Sequence, residues 1–182
     1  MMLTTPLSLP DVLVLEPTVR RDVRGDFQES FNQRDFEQVL GRPLHFVQDN
    51  QSRSRQNVLR GLHYQLGRPQ AKLVRVAEGE IFDVVVDMRA SSPSFGHWAS
   101  VRLSAENGLQ LWVPEGFAHG FLALSEHTTV LYKTSEYYAP DHERSLAWDD
   151  PQLAIAWPLR GAPILSEKDR NAPRFQDADT FD

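Results

Sequence analysis

Between residues 82 and 89, Phe82, Val84, Val86 and Met88 alternate with Asp83, Val85, Asp87 and Arg89. A period of two puts one set on each face of an extended chain, so this segment predicts a strand in a sheet with one apolar face. Similar short runs at 12–15, 73–76, 98–103, 109–113, 121–124 and 128–133 predict further strands. Turn residues punctuate them: Glu78-Gly79-Glu80, Ser92-Pro93, Asn107-Gly108, Pro114-Glu115-Gly116 and Ala139-Pro140-Asp141. One helix is predicted, capped by Asn32, with Phe36, Val39 and Leu40 on one face and Gly41 and Pro43 to stop it. No repeat or low-complexity tract is visible. From Trp157 onward the chain is rich in proline and charge and predicts an irregular segment laid over the body. Many short strands with few helices predict a mainly β fold, a small jelly-roll barrel with a ligand cavity at its mouth.

Composition narrows the picture. A chain of 182 residues, 41% hydrophobic, is long enough for one domain with a real core. There is no cysteine, which excludes disulfides, thiolate metal sites and a cysteine nucleophile. No apolar run approaches the ~20 residues of a membrane span, and the start lacks a basic region followed by an apolar core, so a cytoplasmic protein is expected. The net charge is -6, yet residues 1–75 carry eleven Lys/Arg against eight Asp/Glu, and the remainder carries eight against seventeen. The basic half has scattered arginines and no aromatic-interleaved stripe, which points to a small anionic ligand and away from nucleic acid.

Five segments carry candidate chemistry. In Asp22-Val23-Arg24-Gly25-Asp26-Phe27-Gln28-Glu29, a glycine between charges allows close backbone approach and an arginine can fork onto phosphate oxygens; a surface turn has the same look. Gln48, Asp49 and Asn50 suit a polar pocket or a plain loop. In Leu59-Arg60-Gly61-Leu62-His63-Tyr64-Gln65, strict alternation would put Arg60 and His63 on opposite faces, and Gly61 could relieve that split by marking a bulge. His63 is either a hydrogen-bonded structural residue or, near the cations Arg60, Lys72 and Arg75, a general base beside an anion site. On the strand 128–133, Thr128, Val130 and Tyr132 share a face, so Tyr132 is either a core tyrosine or a proton donor pointing inward.

Pro114-Glu115-Gly116-Phe117-Ala118-His119 is similar to the second motif of the cupin superfamily, in which the histidine points into the barrel. Metal-binding cupins carry His-x-His and then a glutamate in their first motif. This chain has His63-Tyr64-Gln65 there, and two histidines alone make a poor divalent site, so no catalytic metal is expected.

Together these segments resemble the dTDP-4-dehydrorhamnose 3,5-epimerase family. Asp22-x-Arg24-Gly25-x-Phe27-x-Glu29, Gln48-Asp49-Asn50, the segment 59–65, Lys72-Leu73-Val74-Arg75, the segment 114–121, Leu131-Tyr132-Lys133 and Leu165-Ser166-Glu167-Lys168-Asp169 occur in the family's order and spacing. Arg20 and Asp26 depart from it, standing where the family has aromatic residues. The resemblance implies a cupin-type barrel that needs no cofactor and inverts carbons 3 and 5 of a dTDP-4-dehydro-6-deoxy-glucose. It implies His63 as base, Asp169 as the carboxylate that holds it, Lys72 as the enolate's partner and Tyr132 as proton donor. It assigns Arg24, Phe27, Glu29, Gln48, Asn50, Arg60, His119, Tyr138, Glu143 and Lys168 to substrate contacts, and implies a homodimer whose nucleotide site crosses the interface. Epimerisation at carbon 3 alone, ketoisomerisation of the same sugar, a metal-dependent cupin oxygenase or isomerase and a non-catalytic sugar-binding cupin are the alternatives.

Overall fold

The computed structural model describes residues 3–9 and 11–182. In chain order the strands are β1 (Leu3–Pro6), β2 (Leu13–Glu16), β3 (Val19–Asp22), β4 (Gly25–Gln28), β5 (Gln48–Arg55), β6 (Leu59–Gln65), β7 (Lys72–Glu78), β8 (Glu80–Asp87), β9 (Trp98–Ser104), β10 (Gln110–Val113), β11 (Phe117–Ala123), β12 (His127–Thr134) and β13 (Glu143–Ser145). Six form one sheet in the order β1-β2-β10-β7-β12-β5, five form a second in the order β13-β6-β11-β8-β9, and β3 and β4 make a separate hairpin. Every named pairing is antiparallel. This is the expected mainly β, jelly-roll architecture.

The two sheets face each other over a shared core. Val74, Val76, Leu111, Val113 and Val130 come from the larger sheet, and Ile81, Val85, Leu103, Phe117 and Phe121 from the smaller. Each sheet is also covered on its outer face. Helix α1 (Gln33–Leu40) packs Phe36 with Phe31, Phe46 and Trp112 against the six-stranded sheet. Its start and stop are as the residues predict: Asn32 Oδ1 accepts from the Asp35 amide at 3.3 Å, and Gly41 ends it with φ of 67°.

The outer face of the five-stranded sheet is covered by the C-terminal tail. Phe82, Val84, Val86 and Met88 pack there with Leu153, Trp157, Phe175 and Phe181. The alternation in β8 thus has the opposite sense to that of a half-exposed strand. Its apolar set lies under the tail, while Asp83, fully buried, shares the barrel-facing side with Ile81 and Val85. The tail is mostly irregular, as expected, but also holds a second helix, α2 (Glu167–Arg170), which a run of four charged residues did not announce. Among the described residues no helix is long and apolar enough to cross a membrane.

Residues 48–55 form a full edge strand of the six-stranded sheet although none is apolar. Hydrophobic periodicity is silent there because an edge strand beside a polar cavity has no apolar face to declare.

Candidate active site

The segment around Gly61 decides which side chains share a surface. His119 of β11 pairs with His63 of β6, and Phe121 pairs with Arg60, so two steps on one strand match three on the other. The extra residue is a bulge, and it returns Arg60 and His63 to one face. Gly61 has φ of 117°, and a Cβ there would stand 2.5 Å from Gly120 Cα and 2.8 Å from the His119 carbonyl oxygen. The two backbones approach too closely for any other residue at 61.

Arg60, His63, His119 and Glu143 from the five-stranded side, Lys72 and Tyr132 from the six-stranded side, and Lys168 and Asp169 from α2 line one cavity of about 460 Å³ at the barrel mouth. Tyr138 stands at its rim, half exposed. His63 and Tyr132 come from facing sheets, so their side chains enter from different walls.

His63 Nε2 lies 2.5 Å from Asp169 Oδ1. Ser166 caps α2 by accepting the Asp169 amide at 3.0 Å, which fixes the residue that carries the carboxylate. Burial is the strongest single influence on the Asp169 carboxyl and raises it, but the hydrogen bond from His63, the contact with Ser166 and the nearby positive charge of Lys168 together outweigh it and the net shift is downward. An ionised carboxylate only accepts, so Nε2 of His63 carries the hydrogen and donates, and Nδ1 keeps the lone pair a base needs.

Lys72 is nearly fully buried and donates to the His63 carbonyl at 3.3 Å. Burial pulls its ammonium down to about 8, against the opposing pull of Asp83 and Glu143. Tyr132 packs on the inner core, and its hydroxyl has no protein partner among the described residues. Burial raises it, which keeps the phenol protonated at neutral pH; the Arg60 cation pulls the other way and the Glu143 charge adds to the rise. His119 Nε2 lies 2.7 Å from Asp83 Oδ1, deeper in the barrel. Lys168 and Glu143 pair at 2.7 Å, and the Tyr138 hydroxyl donates to Glu143 at 3.0 Å.

The remaining predicted residues lie elsewhere. Gln48 accepts from the Tyr138 amide at 3.1 Å and donates to Asn50 at 2.8 Å, so this pair braces the rim behind Tyr138. Arg24, Phe27 and Glu29 are exposed on or just after the β3–β4 hairpin, and Arg24 forks onto Asp22 of its own turn. None of these three lines the cavity of its own chain. Arg20 and Asp26, the two departures, are exposed on the same hairpin. Residue reasoning did not find Ser52, Gln70 or Phe121 in the lining, nor Asp83 behind it. Ser52 shares the inward face of β5 with Asn50, a signal available only once the strand is recognised.

Gln65, where a metal-binding cupin carries a second histidine, is buried and committed to backbone. Its amide donates to the Arg68 and Tyr137 carbonyls at 2.8 and 3.3 Å and accepts from the Ala139 amide at 2.8 Å. Among the described residues, no three His, Cys, Asp or Glu side chains gather as a metal site.

A cupin-type jelly roll whose mouth is lined by acid, base and cation defines the class. The sequence profile of dTDP-4-dehydrorhamnose 3,5-epimerase matches residues 6–177. The chain belongs to that family. It is 58% identical to the dTDP-4-dehydrorhamnose 3,5-epimerase of Pseudomonas aeruginosa, over 99% of both chains. The crystal structure of a dTDP-6-deoxy-D-glucose-3,5-epimerase from Legionella pneumophila in complex with dTDP-4-keto-L-rhamnose superposes with a TM-score of 0.93 at 48% identity, covering 96% of this chain and 92% of that one. A 3'-monoepimerase from Streptomyces bikiniensis in complex with dTDP-quinovose also shares the fold, with a TM-score of 0.89 at 38% identity over 93% of this chain and 86% of that one.

Proposed function

We propose that this chain inverts carbons 3 and 5 of dTDP-4-dehydro-6-deoxy-glucose to give dTDP-4-dehydro-L-rhamnose. The observation that carries the reading is the placement of His63, held by Asp169, and of Tyr132 on facing walls of one cavity. Both carbons flank the ketone at carbon 4, so loss of a proton from either gives an enolate with its charge on the same oxygen. One cationic donor can serve both inversions.

His63 Nδ1 takes the proton, a step worth roughly 10²–10⁴ in rate. The Lys72 ammonium, with His119 beside it, meets the charge on the enolate oxygen, worth roughly 10²–10³. Tyr132 then delivers a proton to the opposite face of the carbon. A base that returned its own proton would only regenerate the substrate. After each inversion His63 is protonated and Tyr132 is a phenolate, and exchange with solvent resets both.

Arg60 and Lys168 suit the diphosphate, with Glu143, Gln48, Asn50 and Tyr138 ordering the rim around the nucleotide. Arg24, Phe27 and Glu29 reach the cavity of a second copy, which makes the working unit a homodimer. What supports this is the hairpin itself, where Phe27 is 70% exposed and Val23 fully so. A charged diphosphate sugar does not cross lipid, so the enzyme works in the compartment where that sugar is made, which this reading takes to be the cytoplasm.

Turnover in deuterated water followed by NMR tests the reaction: deuterium at both carbon 3 and carbon 5 of the product is expected. Deuterium at carbon 3 and never at carbon 5 would make the chain a 3-epimerase. Mixing inactive Arg24→Ala and His63→Ala proteins tests the dimer, since a mixed pair contains one intact site and regains activity.

A further inference from the structure

The mechanism gives no task to Asp83, a buried carboxylate that stands against the cavity. Asp83 is fully buried on the barrel-facing side of β8, where it is set diagonally across from His119 on β11. Its Oδ1 lies 2.7 Å from His119 Nε2, and its Oδ2 is buried with no partner among the described residues. A carboxylate so placed is costly to bury, and the cost persists only where its charge is used or compensated.

His119 and His63 are direct partners across β11 and β6, so both rings rise from neighbouring positions of one sheet face. Each is held through Nε2 by one carboxylate, but the carboxylates come from opposite directions. Asp169 reaches in from α2 at the mouth, and Asp83 stands deeper inside the barrel. Nδ1 of His119 has no protein partner among the described residues, and the ring lines the cavity. A carboxylate accepting at Nε2 requires a hydrogen on that nitrogen.

We propose that Asp83 is a positioning residue for the epimerisation: it accepts from Nε2 of His119 and so fixes the orientation and tautomer of the ring that lines the cavity with Lys72. Asp83 also opposes the effect of burial on Lys72, which places its negative charge within reach of both side chains.

This inference rests on the epimerase reading, and steady-state kinetics of Asp83→Asn, His119→Gln and the double variant test it, with His63→Ala as control. Asp83→Asn is expected to lower kcat by about 10²-fold with KM changed by less than about threefold, the pattern of an interaction made in the transition state. The double variant should be no slower than His119→Gln alone, because Asp83 acts through that ring. An Asp83→Asn enzyme with wild-type kcat, or losses that multiply in the double variant, would overturn the proposal. Nitrogen-15 NMR of the histidines in the unaltered protein decides the matter if Asp83→Asn does not fold: Nε2 of His119 must carry a proton, and an Nδ1-only tautomer sinks the idea. If His63→Ala still turns over substrate, the epimerase mechanism itself fails, whatever Asp83 does.

Discussion

Arg60 and His63 stand three residues apart on β6 yet face the same cavity, because the bulge at Gly61 shifts the strand by one residue against β11. The backbone device that puts Arg60 and His63 on one surface is therefore a glycine outside the cavity lining. Gly61→Ala is expected to cost at least about 2 kcal/mol of stability, since it combines a positive φ with a collision against Gly120. Urea unfolding measures this. A variant of unchanged stability and activity would show that the strand tolerates another register.

Tyr132→Phe separates proton removal from proton delivery. The base is intact in this variant, so substrate protons next to the ketone should still exchange with deuterated water. Inverted product should fall by at least about 10²-fold. NMR reads both at once, and loss of exchange together with loss of product would assign Tyr132 a role in proton abstraction or binding instead.

Asp169→Asn keeps the shape of the pair but lets the amide donate to His63, which favours the tautomer with Nε2 bare and Nδ1 protonated. The expected loss in kcat is about 10²–10⁴-fold, with substrate affinity preserved. Ser166→Ala leaves the carboxylate in place but removes the cap of α2, so a smaller loss is expected, together with about 1 kcal/mol of stability. Kinetics and thermal unfolding of the two variants give the order.

Lys72 supplies a pH dependence of definite sign. With its ammonium pulled down to about 8 by burial in the free protein, the cation proposed to meet the enolate is lost as pH rises through that value, so kcat/KM should fall on the alkaline side with a midpoint near 8. Stability moves the other way. The unfolded lysine holds its proton to about 10.5 and the folded one gives it up near 8, so between these values the unfolded state binds more protons and stability rises with pH. Below about 8 the buried charge costs on the order of 3 kcal/mol. Lys72→Met should remove that cost at pH 7 while cutting kcat by about 10²–10³-fold, a trade that unfolding and rate measurements on one preparation would reveal.

The sequence carried most of the site because its chemistry is written in short segments. Arg60, His63, Lys72, His119, Tyr132, Glu143, Lys168 and Asp169 all reach one cavity, and the glycine bulge was legible because alternation alone would have split Arg60 from His63. Three features resisted reading, each for a physical reason. β5 has no apolar period because its inner face meets a polar cavity. The faces of β8 could not be ordered because both are buried, one under the tail and one in the barrel. Arg24, Phe27 and Glu29 sit exposed on or just after the β3–β4 hairpin, away from the cavity of their own chain, because a short polar turn carries no apolar pattern that says where it packs.

The tail that covers the five-stranded sheet also brings the carboxylate to the base, across a separation of 106 residues. Synthesis delivers this chain from its N-terminus, so every strand of the barrel is made before Asp169. His63 thus stands without its carboxylate through most of the molecule's assembly and gains that partner only when the final segment docks. Full turnover becomes a signature of a finished fold, and a nascent or clipped chain that has gathered its strands still lacks the carboxylate that orients His63.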